Sequence, residues 1–302
     1  MAAVFLLSYG AIWPERAEAQ SVAQSTEQQI QAEPSNWVAW RKMNLAGRQI
    51  MLVERMVKMA CFAQINTGRT IGRERHLEEL RLTKEHYEAS EAALWRGSAA
   101  LGIGAEDNDR VREALAEAER RYEFFAAVLA PAVSGIALSA GSLERLDREA
   151  RRLEGSLRRV LRLVETLHLR PVAEGGAVAA FTYADAERAG SQRLFKDICL
   201  VAAGLNAAGR RVQLRNEISE VESRLTTMIE GAPLIGLPPA QDPRVLEAVQ
   251  EARGRWLDIQ PIVQREIAAG EISPDALGEV ADHATPMLTA INRVVLLYEA
   301  IN

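Results

Sequence analysis

EDNDRVREALAEAERRYEFF (residues 106–125) and AQDPRVLEAVQEARGRWLDI (residues 240–259) read as one helix written twice. Arg110, Val111, Glu113, Ala114, Glu117, Ala118 and Arg121 recur as Arg244, Val245, Glu247, Ala248, Glu251, Ala252 and Arg255, an offset of 134 residues. The same offset pairs Gly97 with Gly231, Gly102 with Gly236, Leu143 with Leu277, and Arg159-Val160 with Arg293-Val294. One register held across several helices marks an internal repeat. Upstream the offset becomes 143, where AGRQIMLVERMVKMACFAQIN (46–66) lines up with AGSQRLFKDICLVAAGLNAAG (189–209). The difference is absorbed near TGRTIGRER (67–75), a Gly-containing loop pattern.

Each copy reads as four helices. In the first they are expected at about 36–66, 74–100, 107–130 and 140–168, with Ser35, Asp107-Asn108 and Ser142 as start signals. Asp242-Pro243 and Ser273-Pro274-Asp275 open the last two helices of the second copy. Apolar residues recur at three and four, as in Leu143, Leu146, Ala150, Leu153, Leu157, Val160 and Val164. Short connections favour antiparallel neighbours. The expectation is an all-α chain of two tandem four-helix up-down bundles, at 36–168 and 179–302, divided at RPVAEGGAV (170–178).

Composition agrees with this class. Of 302 residues 48% are apolar but only 5% aromatic, so aliphatic helix packing is favoured over a β-sandwich. Net charge is −5 with acids and bases interspersed, which argues against a nucleic-acid partner. The start, MAAVFLLSYGAIW followed by Ala17-Glu18-Ala19, has the apolar length and small residues of a signal peptide over residues 1–19, although it lacks an early Lys or Arg. The expected product is exported and periplasmic; the alternative is an N-terminal membrane anchor. The uncharged run from Phe124 to Leu143 contains Pro131, Gly135 and Gly141 and reads as a helix end and loop. Cys61 and Cys199 could pair in an oxidising compartment, but two separate buried thiols are the preferred reading.

Residues 43–59, MNLAGRQIMLVERMVKM, pose the functional question. On a helix at 100° per residue, Asn44, Arg48, Met51, Arg55 and Lys58 fall on one narrow stripe inside a wide apolar arc. Guanidinium groups present paired donors to planar oxygens, so the stripe suits a small oxyanion or carboxylate. A solvated charged face is the more ordinary role of such residues, and the two readings differ in whether the arginines are buried.

NLAGRQIMLVERMVK resembles the first-helix signature of the N-terminal domain of type IV pili methyl-accepting chemotaxis transducers, the PilJ family, which is itself similar to the sensor domain of nitrate sensor kinases. The matching residues are Asn44, Ala46, Gly47, Arg48, Met51, Leu52, Arg55 and Lys58. The resemblance implies a four-helix sensor module that binds a small ligand or a membrane-bound signalling partner, or dimerises through its first helix. Ile50 stands where the family has an arginine, so nitrate is expected to bind poorly; Glu54 stands where it has a glutamine, and its charge would oppose an anion if it faced the site. In the second copy Ser191, Ile198 and Val201 replace Arg48, Arg55 and Lys58, so that copy is expected to carry no site.

Other chemistry finds no support. His76, His86, His168 and His283 have no metal-ligand spacing; HLEEL (76–80) lacks the second histidine of a zincin helix; Arg73 and Thr83 stand where a di-iron motif needs Glu. GIGAED and GLNAAGR are not framed by strands, and no nucleophile elbow is present. The expectation is a non-enzymatic binding module without cofactor. The alternative is a helical assembly scaffold without a small ligand.

Overall fold

Among the described residues four helices come from each half of the chain: α1 (Ser35–Phe62), α2 (Arg73–Arg96), α3 (Asp109–Val133) and α4 (Ala140–Val164), then α5 (Gly175–Ala202), α6 (Ala207–Glu230), α7 (Pro243–Ala269) and α8 (Pro274–Ile301). The computed structural model describes residues 35–65, 72–205 and 207–301, so the signal-like residues 1–19 lie outside the described residues. The protein is all-α, and among the described residues strand pairing is confined to two tiny hairpins.

Those hairpins show the repeat at atomic scale. In the first, Gly97–Ser98 pairs antiparallel with Ile103–Gly104 around a 3-10 turn. In the second, Ala232 pairs with Leu237 around the 3-10 turn Pro233–Ile235. Gly97 and Gly231 have φ of 77° and 79°; Gly102 and Gly236 have 61° and 72°. Side chains rarely adopt such angles, which is why glycine recurs at both places in both copies. The helix starts repeat as well. Asn108 caps α3 by accepting from the backbone of Arg110 and Val111, and Asp242, 134 residues on, accepts from Arg244. The cap of α4 is Ser139, not Ser142: its hydroxyl accepts from the Ser142 amide. Ser139 is the repeat partner of Ser273, whose hydroxyl accepts from Ala276. Beyond α4 a π-helical turn, Glu165–Leu169, leads to α5, which starts at Gly175 rather than near 179.

Residues 36–302 form one compact unit, and the apolar core runs through both halves without a break. Within it α3 packs on α4, α7 on α8, and α5 on α6 and α8. The two most enclosed helices are α1 and α5. From Glu187 to Val201 every residue except Arg193 is buried. The helices meet closely where α1 has Gly47: a methyl group built there would fall on the Asp185 carboxylate, which Arg188 holds in place. Gly47→Ala should therefore cost about 1–3 kcal/mol, as overpacking does. Gly155→Ala, on the open face of α4 with no atom near the added methyl, should stabilise by about 0.5–1 kcal/mol. Urea midpoints of the two variants measure this; a Gly47→Ala variant as stable as the parent would refute the close approach.

Two further links join α1 to α5. Cys61 and Cys199 form a disulfide, so the reading of two separate thiols is corrected. Both lie in apolar helical stretches far apart in sequence, and only helix pairing brings them together. The other link is an interior ion network. The Lys196 ammonium lies 2.7 Å from Glu54 Oε2 and 3.0 Å from Asp147 Oδ1, linking α5 to α1 and α4. Arg193 reaches Glu54 at 2.6 Å and Glu154 at 3.0 Å. Arg210 of α6 joins Asp197 at 2.7 Å and also pairs with Asp147. Burial and the adjoining Glu54 push the Glu154 carboxyl well above its ordinary range, so the two carboxyl groups hold a proton between them at neutral pH.

Candidate functional site

Helix α1 is covered on nearly every side. From Lys42 to Phe62 only Asn44, Arg48 and Arg55 are not buried, and these three are half-buried. They are three of the five stripe residues. The apolar arc and Glu54 are turned inward, and the half-buried line of Asn44, Arg48 and Arg55, here called the slit, runs along the polar stripe. The other two members, Met51 and Lys58, are buried at 2% and 0% exposure. The stripe is therefore no solvated face.

The slit is bounded by α2, α5 and α8. Asn44 donates to Glu299 of α8, while its side-chain oxygen accepts from Arg188 Nη1 at 2.8 Å and its backbone carbonyl from Arg188 Nη2 at 3.2 Å. Asp185 holds Arg188 from one helical turn away. Arg55 donates to Glu79 of α2 at 3.2 Å, and Arg75 approaches the other Glu79 oxygen at 3.3 Å. Lys58 donates to Gln192 of α5 at 2.6 Å.

Arg48 differs from all of these. Among the described residues every other arginine that is not exposed donates to a carboxylate or a backbone carbonyl; Arg48 donates to neither. Its neighbours are cations. Burial, then Arg188, then Arg55 disfavour its charged form, and the fields of Arg48 and Arg55 reach His86 on α2 and lower that imidazole below its usual range, after burial. A guanidinium stays protonated under such pressure, so the slit carries an unbalanced positive charge. An anion is the chemical complement: it accepts from the open fork of Arg48 and relieves the repulsion from Arg55 and Arg188.

Sequence reasoning located Asn44, Arg48, Arg55 and Lys58 but placed Glu54 as a potential opponent of the anion. Glu54 is fully buried against Arg193 and Lys196, on the α5 side of the helix. Burial raises its carboxyl, but Lys196 and then the other partners outweigh this and bring it down to about 2. Arg188 was missed. It stands where the first copy has Leu45, and that exchange of a leucine for an arginine next to the shared Ala-Gly pair is the signal that could have found it. Thus the second copy, which lost the stripe, returns one cation to the stripe of the first.

Among the described residues no group of His, Cys, Asp and Glu is arranged to hold a metal ion, and no helix is long and apolar enough to cross a membrane. Compared with family models, curated proteins and solved structures, the chain finds no match.

Proposed function

We propose that this chain is a non-enzymatic binding module of the PilJ-like sensor type that takes a small oxyanion or carboxylate in the α1 slit. Arg48 is the principal ligand, with Arg55 and Arg188 flanking it. The observation that carries this reading is the shielded Arg48 guanidinium with no acceptor and two cationic neighbours. The pairing of α1 with α5 supports a tandem arrangement in which the second copy takes, within one chain, the place that a partner's first helix would take in a dimer. Export to an oxidising compartment such as the periplasm is part of the proposal, and the Cys61–Cys199 disulfide supports it. Signalling then runs through a membrane-bound partner.

Thermal unfolding against a panel of oxyanions and carboxylates, at matched ionic strength, tests this. At a hundredfold excess over Kd a ligand of the folded state adds about 2.7 kcal/mol, an upward shift of roughly 4–5 °C for a chain of this size. Arg48→Ala should abolish that shift and, without ligand, leave the protein at least as stable, because an unpaired charge has been removed. Nitrate should rank low, since Ile50 is 4% exposed and supplies no donor. A second reading, the assembly scaffold, has an observation in its favour: Asn44, Arg55 and Arg188 already have protein partners. A panel without any shift would leave the scaffold standing and end the anion reading.

A further inference from the structure

Lys58 closes the inner end of the stripe, and its surroundings differ from those of the slit. The ammonium is fully buried and donates to the neutral Gln192, and among the described residues no carboxylate is in ion-pair contact with it. Next to it α1, the start of α2 and α8 leave a cavity of about 20 Å³. His76 lines this cavity. It is 4% exposed, its ring stacks on Phe62 with centroids 5.4 Å apart, and neither ring nitrogen has a partner. Arg75 and Asp282, both exposed, stand at the rim.

A void of that size holds a single water molecule or a single monatomic ion. The charges decide between the two. Around Lys58 and His76 stand Arg55 on the lysine's own helix, Arg75 and Glu79 on α2, and Asp282 on α8; from α5 the neutral Gln192 and the Phe195 ring approach Lys58. The Glu79 carboxylate is shared between Arg55 and Arg75, so it does not neutralise Lys58 as well. A water molecule would satisfy hydrogen-bond donors but bring no charge. A halide accepts from the Lys58 ammonium and a His76 N–H together and cancels the excess. We propose that the cavity between Lys58 and His76 is a site for a single halide ion, chloride in ordinary media, separate from the Arg48 slit. Burial, with Arg55 adding to it, brings Lys58 down to about 7. Halide binding needs the ammonium, so it is strongest below that pH and fades as the pH rises through it.

Two measurements test the site. Crystals of the full chain grown in bromide should give an anomalous peak in the cavity, beside Lys58 Nζ. In solution at pH 6, replacing methanesulfonate by chloride should raise the unfolding midpoint by roughly 2–3 °C at tenfold excess over Kd, and by much less at pH 9. The shift should persist in Arg48→Ala, which removes the slit, and vanish in Lys58→Met. Failure of the oxyanion panel would leave this result untouched. A cavity filled by water with no bromide peak overturns the proposal, even if Lys58→Met does not fold. So does a chloride shift of equal size in the parent and Lys58→Met.

Discussion

Lys196→Met should lower the stability of the protein by about 3–5 kcal/mol at pH 7, the largest effect expected of any single substitution discussed here. Methionine keeps the length and much of the volume of lysine, so little of the loss comes from a cavity. What is lost is the cation between Glu54 and Asp147, both fully buried. Arg193 and Arg210 remain, but each already serves a second carboxyl group. The deficit should depend on pH in a definite direction. Glu54 is held at about 2 in the folded protein, below its ordinary value. A depressed carboxyl contributes stability above its unfolded pKa and loses it as the pH falls through the folded one. The gap between parent and variant should therefore be full above about pH 4.5 and narrow between there and pH 2. Pairing Lys196→Met with Glu54→Gln should recover much of the loss, because the stranded charge is gone. Urea denaturation across this pH range measures all three; a loss below about 1 kcal/mol would mean that the network is worth no more than a surface ion pair.

The Cys61–Cys199 disulfide should rank second. It spans a sequence separation of 138 residues, which ties the first helix of one copy to the first helix of the other. By chain entropy alone a closure of that length is worth about 5 kcal/mol, and measured bridges usually give about 2–4. The double variant Cys61→Ser, Cys199→Ser should unfold at a lower urea concentration by a corresponding margin, with its helical content unchanged. Since both sulfurs are fully buried, reductant added to the native protein should act slowly, at the pace of opening rather than of thiol exchange. Equal midpoints for the bridged and serine forms would show that the α1–α5 pair is held by packing alone.

What the sequence determined by itself was local. The all-α class followed from aliphatic periodicity, and the capping residues Asn108, Asp242 and Ser273 were legible because helix starts are settled by a few neighbouring residues; the glycines match across the 134-residue offset, but Gly97 falls inside the helix expected to run to 100, so the hairpin itself was not legible. The repeat was legible for the same reason: identical local demands had kept identical residues, and reading Ser139 against Ser273 in the 134-residue register would have found the α4 cap too. The stripe of Asn44, Arg48, Arg55 and Lys58 could be drawn on a helical wheel. Its meaning could not, because a wheel shows which residues share a face and not what covers that face. Only the tertiary structure decided that α1 lies buried against α5, with Glu54 turned to Lys196, Gly47 against Asp185 and Cys61 bonded to Cys199. It alone supplied Arg188 to the slit and His76 to the cavity beside Lys58. These are contacts between residues far apart in the chain. They depend on which helices pair and at what rotation, and that is settled by the sum of many weak packing terms across the whole core rather than by any short stretch of sequence.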